Sequence, residues 1–370
     1  MRSALLLCIV PILLAAFLLT GAAGPSEDVG ATIRARQWPL QAMEVRTAWR
    51  TTRGAGVTVA VLDTGVDDRH PDLSGAVVQG PDFTGAASAP GAPPSCGRGT
   101  GGGTGAGTSG DTGTEPDPGP SAKASGGAPP ATPGKHGTAM AALIAGRGHG
   151  PSRSYGVLGV APEARILSIK VTLDGDDPRW TGAAHTACHD AVARGIRYAV
   201  DHGAQVISMS LGGGSGAYRG SPAEERAVRY ALSRQVVLIA SSGNDGAGAN
   251  RRNFPAAYPG VIAVGAVDRA LRPAPFSNRQ RYLSLVAPGT EIVSARGGHS
   301  YVTADGTSAA AALVSGVAAL VRSRYPDLPA RDVRRALQRG ASPQPPGGHD
   351  DAYGAGMANA RRAIEAAGRL

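Results

Sequence analysis

Aromatic residues are scarce in this sequence, at 4% of 370 residues, whereas glycine occurs 54 times. We therefore expect tight packing of small residues to do much of the structural work. Lysine is nearly absent, and the arginines behind the net charge of +9 are scattered along the chain. Because no basic stripe or binding motif is present, we expect no nucleic-acid binding. The charge fits the surface of a protein in an extracellular, anionic environment.

Long apolar runs are also lacking, with one exception near the N-terminus. That run covers residues 4–19, follows Met1-Arg2 and is followed directly by small residues. The pattern predicts a secretory signal peptide over residues 1–23, with a retained membrane anchor as the alternative. Because no second run of spanning length follows, we expect no stable membrane span after signal cleavage. The predicted location is secreted or extracellular, with association with the cell envelope left open.

Cysteine occurs only three times, and Cys8 would leave with the signal peptide. Cys96 and Cys188 would remain in an oxidising compartment, which permits one disulfide bond. The alternative is two unpaired thiols. A metal site is not predicted either, because His185 and His189 share one face of a helix but no further ligand cluster is evident.

The length suits one sizeable α/β domain with a well-buried core. We assign residues 24–50 to an N-terminal lead-in and residues 51–365 to the domain. Residues 85–134 form an insertion rich in Gly, Pro and Ser, with almost no large apolar side chain, so we expect a mobile surface loop there. Elsewhere, short apolar strands alternate with helices, which predicts a mainly parallel, doubly wound sheet.

The stretch Gly306-Thr307-Ser308 begins an alanine-rich helix that we expect to end before Pro326. A serine in this position has exposed backbone N–H groups beside it and the positive end of the helix dipole behind it. Both favour the negative charge that develops on oxygen during acyl transfer. Taken alone, the serine is more simply a helix cap.

Two other residues make a catalytic reading of Ser308 the better one. Residues 57–62 are apolar at every position, which predicts a buried parallel strand and places Asp63 at its carboxyl end. His136 opens a helix further along the chain. Ser308 as nucleophile, His136 as general base and Asp63 as its orienting partner would form a catalytic triad. Each residue alone also fits a turn cap or an ordinary helix start.

These three motifs, D-T-G at 63–65, H-G-T at 136–138 and G-T-S at 306–308, resemble those of the subtilisin-like serine proteases, or subtilases. The resemblance covers nearly all of the chain from Trp38 to about Ile364. It implies a subtilisin-like three-layer α/β sandwich and a serine endopeptidase that cleaves protein or peptide substrates through an acyl-enzyme. Chains of this family often carry a folding prodomain, for which we find no room before the first strand.

The resemblance also implies further site residues. Asn244, in Ser-Ser-Gly-Asn, corresponds to the oxyanion-hole donor, which acts beside the backbone N–H of the nucleophile. Ser210, Leu211 and Gly212 correspond to the strand on which an extended substrate lies, with residues 170–175 as the opposing edge. The alternatives are a loop asparagine and a plain glycine-rich turn.

Some positions depart from the family's pattern. Ala309 stands where subtilases usually have methionine, and the acidic loops that build family calcium sites do not align clearly, so no cofactor is predicted. Arg-Gln-Trp and Gly-Arg-Gly-His-Gly look like the actinobacterial mycosins, which are associated with type VII secretion. Mycosins carry a C-terminal membrane helix that is not evident here. A narrow processing protease of such a system and an inactive subtilase-fold binding protein remain the alternatives.

Overall fold

The computed structural model describes residues 25–84, 134–177, 189–212 and 220–370. The predicted signal peptide, the predicted insertion apart from its last residue, and His185 lie outside these ranges. Cys96 and Cys188 also lie outside them, so the predicted disulfide stays a prediction.

A seven-stranded parallel sheet forms the centre of the domain. In chain order the strands of the described residues are β1 (Thr58–Asp63), β2 (Val77–Asp82), β3 (Arg147–His149), β4 (Tyr155–Leu158), β5 (Arg165–Lys170), β6 (Val206–Met209), β7 (Val237–Ser241), β8 (Ile262–Val267), β9 (Leu283–Pro288), β10 (Ile292–Arg296) and β11 (Ser300–Ala304). The order in the sheet is β2-β5-β1-β6-β7-β8-β9, and two antiparallel pairs, β3-β4 and β10-β11, lie outside it. Every neighbouring pair in the sheet is parallel, which confirms the predicted doubly wound architecture.

Helices cover both faces of the sheet. Those described are Pro25–Ala35, Trp38–Ala42, Val45–Ala48, Lys135–Ala145, His189–Asp201, Pro222–Ser233, Thr307–Arg324, Ala330–Arg339 and Ala360–Ala367, with short 3-10 turns at Pro71–Leu73 and Pro151–Arg153. Because successive strand residues point to opposite faces, β1 contributes to two separate cores. Val59 and Val61 pack with the helices at 135–145 and 307–324. Ala60 and Leu62 pack with those at 189–201 and 222–233. This burial on both faces explains why β1 is apolar throughout.

The N-terminal lead-in packs against the domain through its two tryptophans. The indole N–H of Trp38 donates to the carbonyl of Thr290 at 3.2 Å, and that of Trp49 donates to Val160 at 2.8 Å. Both rings are partly buried against the main core. Buried Gln37 adds a bond from its amide to the carbonyl of Leu158 at 2.8 Å. These bonds fasten a segment whose own helices are too short to be stable alone.

The order of the strands fixes where a site can form. The chain places β5 on one side of β1 and then returns to place β6 on the other side. This reversal is a topological switch point, and a crevice opens there beyond the carboxyl ends of the strands. Asp63 is the last residue of β1, and Ser210 follows directly after β6. None of the helices in the described ranges is both long and apolar enough to cross a bilayer.

Candidate active site

Asp63 and His136 meet at the switch point because two motifs interlock. The imidazole Nδ1 of His136 lies 2.7 Å from Oδ1 of Asp63. Next to them, the backbone N–H of Gly137 donates to Thr64 Oγ1 at 3.0 Å. A Cβ at Gly137 would collide with the carbonyl of Gly65. Only glycine therefore lets the His136 helix approach the end of β1 closely enough for the two side chains to bond.

The two side chains differ sharply in exposure. Asp63 is fully buried, whereas the side chain of His136 is 40% exposed. Oδ1 of Asp63 also accepts the backbone N–H of Thr64 at 2.7 Å, and its Oδ2 is buried with no partner among the described residues. The backbone N–H of Thr64 thus holds the buried carboxylate in place, while the imidazole is exposed to the crevice.

A loop aspartate, Asp174, caps the start of the His136 helix. Its Oδ2 accepts the backbone N–H of Lys135 at 2.8 Å, and its Oδ1 accepts that of His136 at 3.1 Å. The helix has glycine at the N-cap position and no side-chain cap of its own there. Because the first N–H groups of a helix have no partner within it, a carboxylate here stabilises the turn that carries His136.

The electrostatics of His136 follow from these neighbours. Burial of the ring lowers its pKa, but the charge of Asp63, the hydrogen bond to it and the charge of Asp174 act in the opposite direction. The net result is a pKa raised above the usual 6.5. The site therefore stabilises an imidazolium, the state that a general base passes through after it takes a proton.

Ser308 is the second residue of the helix Thr307–Arg324, whose Gly306 N-cap makes no side-chain bond. Its hydroxyl donates to the carbonyl of Ser210 at 3.3 Å, and the hydroxyl of Ser210 donates back to the carbonyl of Ser308 at 2.9 Å. This reciprocal pair joins the start of the helix to the end of β6. His136 and Ser308 line the same cavity, of about 400 Å³, which we call the His136 pocket.

The amide of Asn244 is oriented by Thr307. Asn244 Oδ1 accepts both the backbone N–H and the hydroxyl of Thr307, each at 2.9 Å. With its oxygen held in this way, the amide nitrogen is left to donate elsewhere. A Cβ built on Gly306 would lie 3.6 Å from Asn244 Nδ2 and 3.8 Å from the backbone nitrogen of Ser308. Two N–H donors therefore flank the same small space beside Gly306.

A second cavity, of about 340 Å³, also borders Ser308 but not His136, and we call it the Asn253 pocket after Asn253, which lines it. Ser210, Leu211 and Gly212 line it together with Asn244, so the structure brings the predicted substrate strand next to the predicted nucleophile. Asp174 and Gly175, from the predicted opposing edge, line the His136 pocket instead. A larger cavity, of about 670 Å³, opens beside Leu232 and contains none of the predicted site residues.

A model of the subtilase family of peptidases matches residues 54–356. This chain belongs to the subtilases. Thermitase from Thermoactinomyces vulgaris is 32% identical over 330 residues, which cover 89% of this chain and 96% of thermitase. Fervidolysin from Fervidobacterium pennivorans is 31% identical over 89% of this chain, but the match covers only 44% of fervidolysin. The solved structure of the MycP3 protease from the type VII (ESX-3) secretion system matches with a TM-score of 0.65 at 30% identity, over 88% of this chain and 87% of that one.

These matches confirm the family and the fold, and they make this subtilase a serine endopeptidase that acts on proteins or peptides. They also agree with the mycosin-like motifs seen in the sequence. The individual roles of Asp63, His136, Asn244 and Ser308 are tested by none of them and stay predictions.

Sequence reasoning missed three contributors to the site: the cap that Asp174 supplies, the hydroxyl of Thr307, and Asn253. The first and last act across long sequence separations that no local pattern signals. The Thr307 hydroxyl lies within the G-T-S motif, which alone could have drawn attention to it. Within the described ranges, no group of three or more His, Cys, Asp or Glu side chains is arranged to hold a metal ion. That no cofactor is needed remains a prediction.

Proposed function

We propose that this subtilase is a secreted endopeptidase that hydrolyses peptide bonds through a triad of Ser308, His136 and Asp63. The observation that carries the proposal is the 2.7 Å contact between buried Asp63 and the imidazole of His136, in a crevice that also contains Ser308. An inactive binding protein would have no need of this pair, and it is the less favoured alternative.

In the proposed reaction, the Ser308 hydroxyl leaves the carbonyl of Ser210 and turns toward His136 as substrate binds. The oxygen attacks the carbonyl carbon of the substrate while His136 takes the hydroxyl proton. Asp63 holds the imidazole in the correct tautomer and stabilises its charge. His136 then gives the proton to the leaving amine, and the acyl group stays on Ser308 until water, activated in the same way, releases it.

The negative charge of the tetrahedral intermediate needs donors that are already in place. Asn244 Nδ2 and the backbone N–H of Ser308 flank one space beside Gly306, and we assign the oxyanion to it. An amide suits this role because it donates without carrying a charge or titrating. The helix dipole behind Ser308 adds to the stabilisation.

Replacement of Ser308 by alanine tests the assignment. Loss of a triad nucleophile typically lowers turnover about a millionfold, so the purified Ser308→Ala protein should fold normally and cleave no peptide at a measurable rate. A folded Ser308→Ala protein that retains peptidase activity would show that another residue is the nucleophile.

A narrow processing role in a type VII secretion system is the second candidate, and the likeness to the MycP3 structure favours it. Profiling a peptide library separates the two candidates. Cleavage of many unrelated sequences supports a general endopeptidase, whereas cleavage of one motif supports a processing enzyme. Secretion is supported by the N-terminal apolar run alone, and N-terminal sequencing of the protein recovered from culture medium would test it.

A further inference from the structure

The Asn253 pocket has a defined place in the proposed reaction. In the triad mechanism, His136 hands its proton to the leaving amine, so the leaving side of the substrate lies against His136. His136 and Ser308 both line the His136 pocket. The Asn253 pocket adjoins Ser308 from the side of Ser210 and Gly212. It therefore faces the acyl side, where it would receive the side chain of the residue whose carbonyl is attacked.

The wall of this pocket carries a side-chain amide that is only partly satisfied. Asn253 Nδ2 donates one hydrogen to the carbonyl of Ser241 at 2.8 Å. Its second amide hydrogen and its Oδ1 have no bonding partner within the described ranges. The amide lies against Gly212, where any Cβ would collide with it. The glycine thus makes the room that Asn253 occupies, beside the predicted substrate strand.

Charges around the pocket exclude some side chains. Asp245 lines it, but Arg251 contacts the carboxylate at 3.1 Å and compensates its charge. Arg252 also lines the pocket, and no ion pair to a carboxylate is found for it in the described part of the chain. The lining therefore carries more positive than negative charge, which disfavours a basic substrate side chain.

The Asn278 amide also lines the pocket, but its oxygen is already used. It accepts the backbone N–H of Asp245 at 2.7 Å and donates to the carbonyl of Arg251 at 2.8 Å. Of these two amides, Asn253 alone has both a donor and an acceptor without a partner in the described part of the chain. That pair matches another primary amide, which also presents one donor and one acceptor. An apolar side chain would leave both groups unpaired, and a carboxylate would oppose the free oxygen.

We propose that this subtilase prefers substrates with glutamine or asparagine on the acyl side of the scissile bond, and that Asn253 is the residue that reads the amide. The proposal rests on the proposed function, because it places the acyl side from the roles of Ser308 and His136.

The test uses peptides that differ only at the residue before the scissile bond. We expect kcat/KM for glutamine and asparagine to exceed that for leucine and methionine by about tenfold or more, because the apolar residues leave the amide unpaired. In Asn253→Ala the ratio of glutamine to leucine should fall toward one, with leucine cleavage retained. Asn250→Ala is the matched control, since the Asn250 amide bonds both backbone groups of Arg279 and does not line the pocket.

Three results would overturn the proposal. The first is cleavage after leucine or phenylalanine at least as efficient as after glutamine in the wild-type protein. The second is a preference for glutamate over glutamine, which would assign the selection to Arg252. The third is a glutamine-to-leucine ratio that survives in Asn253→Ala.

A binding measurement separates failure of the inference from failure of the proposed function. Calorimetry with the Ser308→Ala protein gives dissociation constants for the same peptides without any turnover. Tighter binding of the glutamine peptide supports recognition of the amide by Asn253 even if the wild-type protein cleaves nothing. In that case the catalytic assignment fails, and with it the placement of the amide on the acyl side. Equal dissociation constants for the glutamine and leucine peptides would overturn the inference while leaving the catalytic assignment intact.

Discussion

Replacing Thr307 by valine tests how this subtilase aims the amide of Asn244. Valine has the shape of threonine without the hydroxyl, and Thr307 is fully buried, so packing should be conserved while the two hydrogen bonds of the hydroxyl are lost. Asn244 Oδ1 would keep the backbone N–H of residue 307 but lose the hydroxyl, each of which lies at 2.9 Å in the native protein. The same hydroxyl also accepts the backbone N–H of Gly243 at 3.3 Å.

The expected fall in kcat follows from the hydrogen bonds that still hold Asn244 in each variant. Removing the oxyanion donor itself, in Asn244→Ala, should lower turnover by about 100-fold to 1,000-fold. Thr307→Val keeps the donor and one of its two anchors, so the loss of transition-state stabilisation should correspond to the single hydrogen bond to Asn244, about 0.5–1.5 kcal/mol. That equals about a twofold to tenfold fall in kcat, with KM little changed. The lost bond from the Gly243 N–H does not hold the Asn244 amide and should lower the stability of the fold instead. Thr307→Ser keeps the hydroxyl and should remain close to wild type.

Steady-state kinetics on one peptide substrate, with kcat and KM determined separately for all four proteins, provide the assay. The reasoning predicts the order wild type, Thr307→Ser, Thr307→Val and Asn244→Ala, from fastest to slowest. Unchanged kcat in Thr307→Val would show that the hydroxyl does not orient the amide. A rise in KM at constant kcat for Asn244→Ala would move Asn244 from transition-state stabilisation to substrate binding.

Two further predictions concern the pH profile and the stability. The general base must be neutral, so activity should fall as the pH drops through the raised pKa of His136. Asp174→Asn removes one cause of the raised pKa and should shift the acidic limb of the kcat/KM profile to lower pH. An acidic limb at the same pH as in the wild type would contradict this. Gly316→Ala should lower the free energy of unfolding by about 1–3 kcal/mol despite the better helix propensity of alanine, because the new Cβ would lie 2.5 Å from Cβ of Val160. Denaturant unfolding checks this, and a Gly316→Ala protein more stable than the wild type would refute the packing argument.

Local sequence patterns were enough to predict most of the secondary structure elements discussed above. The apolar run at 57–62 predicted the central strand to within one residue. The sequence Ser221-Pro222-Ala223-Glu224 has the pattern of a helix capping box, and the hydroxyl of Ser221 accepts the N–H of Glu224 at 3.1 Å at the start of a helix. The turn at Gly306 and the alanine-rich stretch that follows Ser308 likewise predicted the helix Thr307–Arg324. These elements were predictable because residues close together in the sequence determine their burial and their capping.

Contacts between distant segments were not predictable in this way. The hairpin of β10 and β11 contributes Ile292 and Val302 to the His136 pocket. Strand β11 is half-exposed and shows no clear alternation of apolar and polar residues, so its sequence does not predict a strand. Asp174 caps a helix that starts 39 residues earlier in the chain. Asn253 reaches Ser241 and Gly212 only because the loop after β7 folds back over the end of the sheet. Each of these depends on the assembled fold.

The nucleophile itself can be identified by one measurement. A fluorophosphonate reacts covalently with a serine only when a neighbouring base activates it. After reaction of the native subtilase, peptide mapping by mass spectrometry should place a single adduct on Ser308, and no adduct should form once His136 is replaced by alanine. A native protein that stays unlabelled, or an adduct on any residue other than Ser308, would contradict the proposed triad.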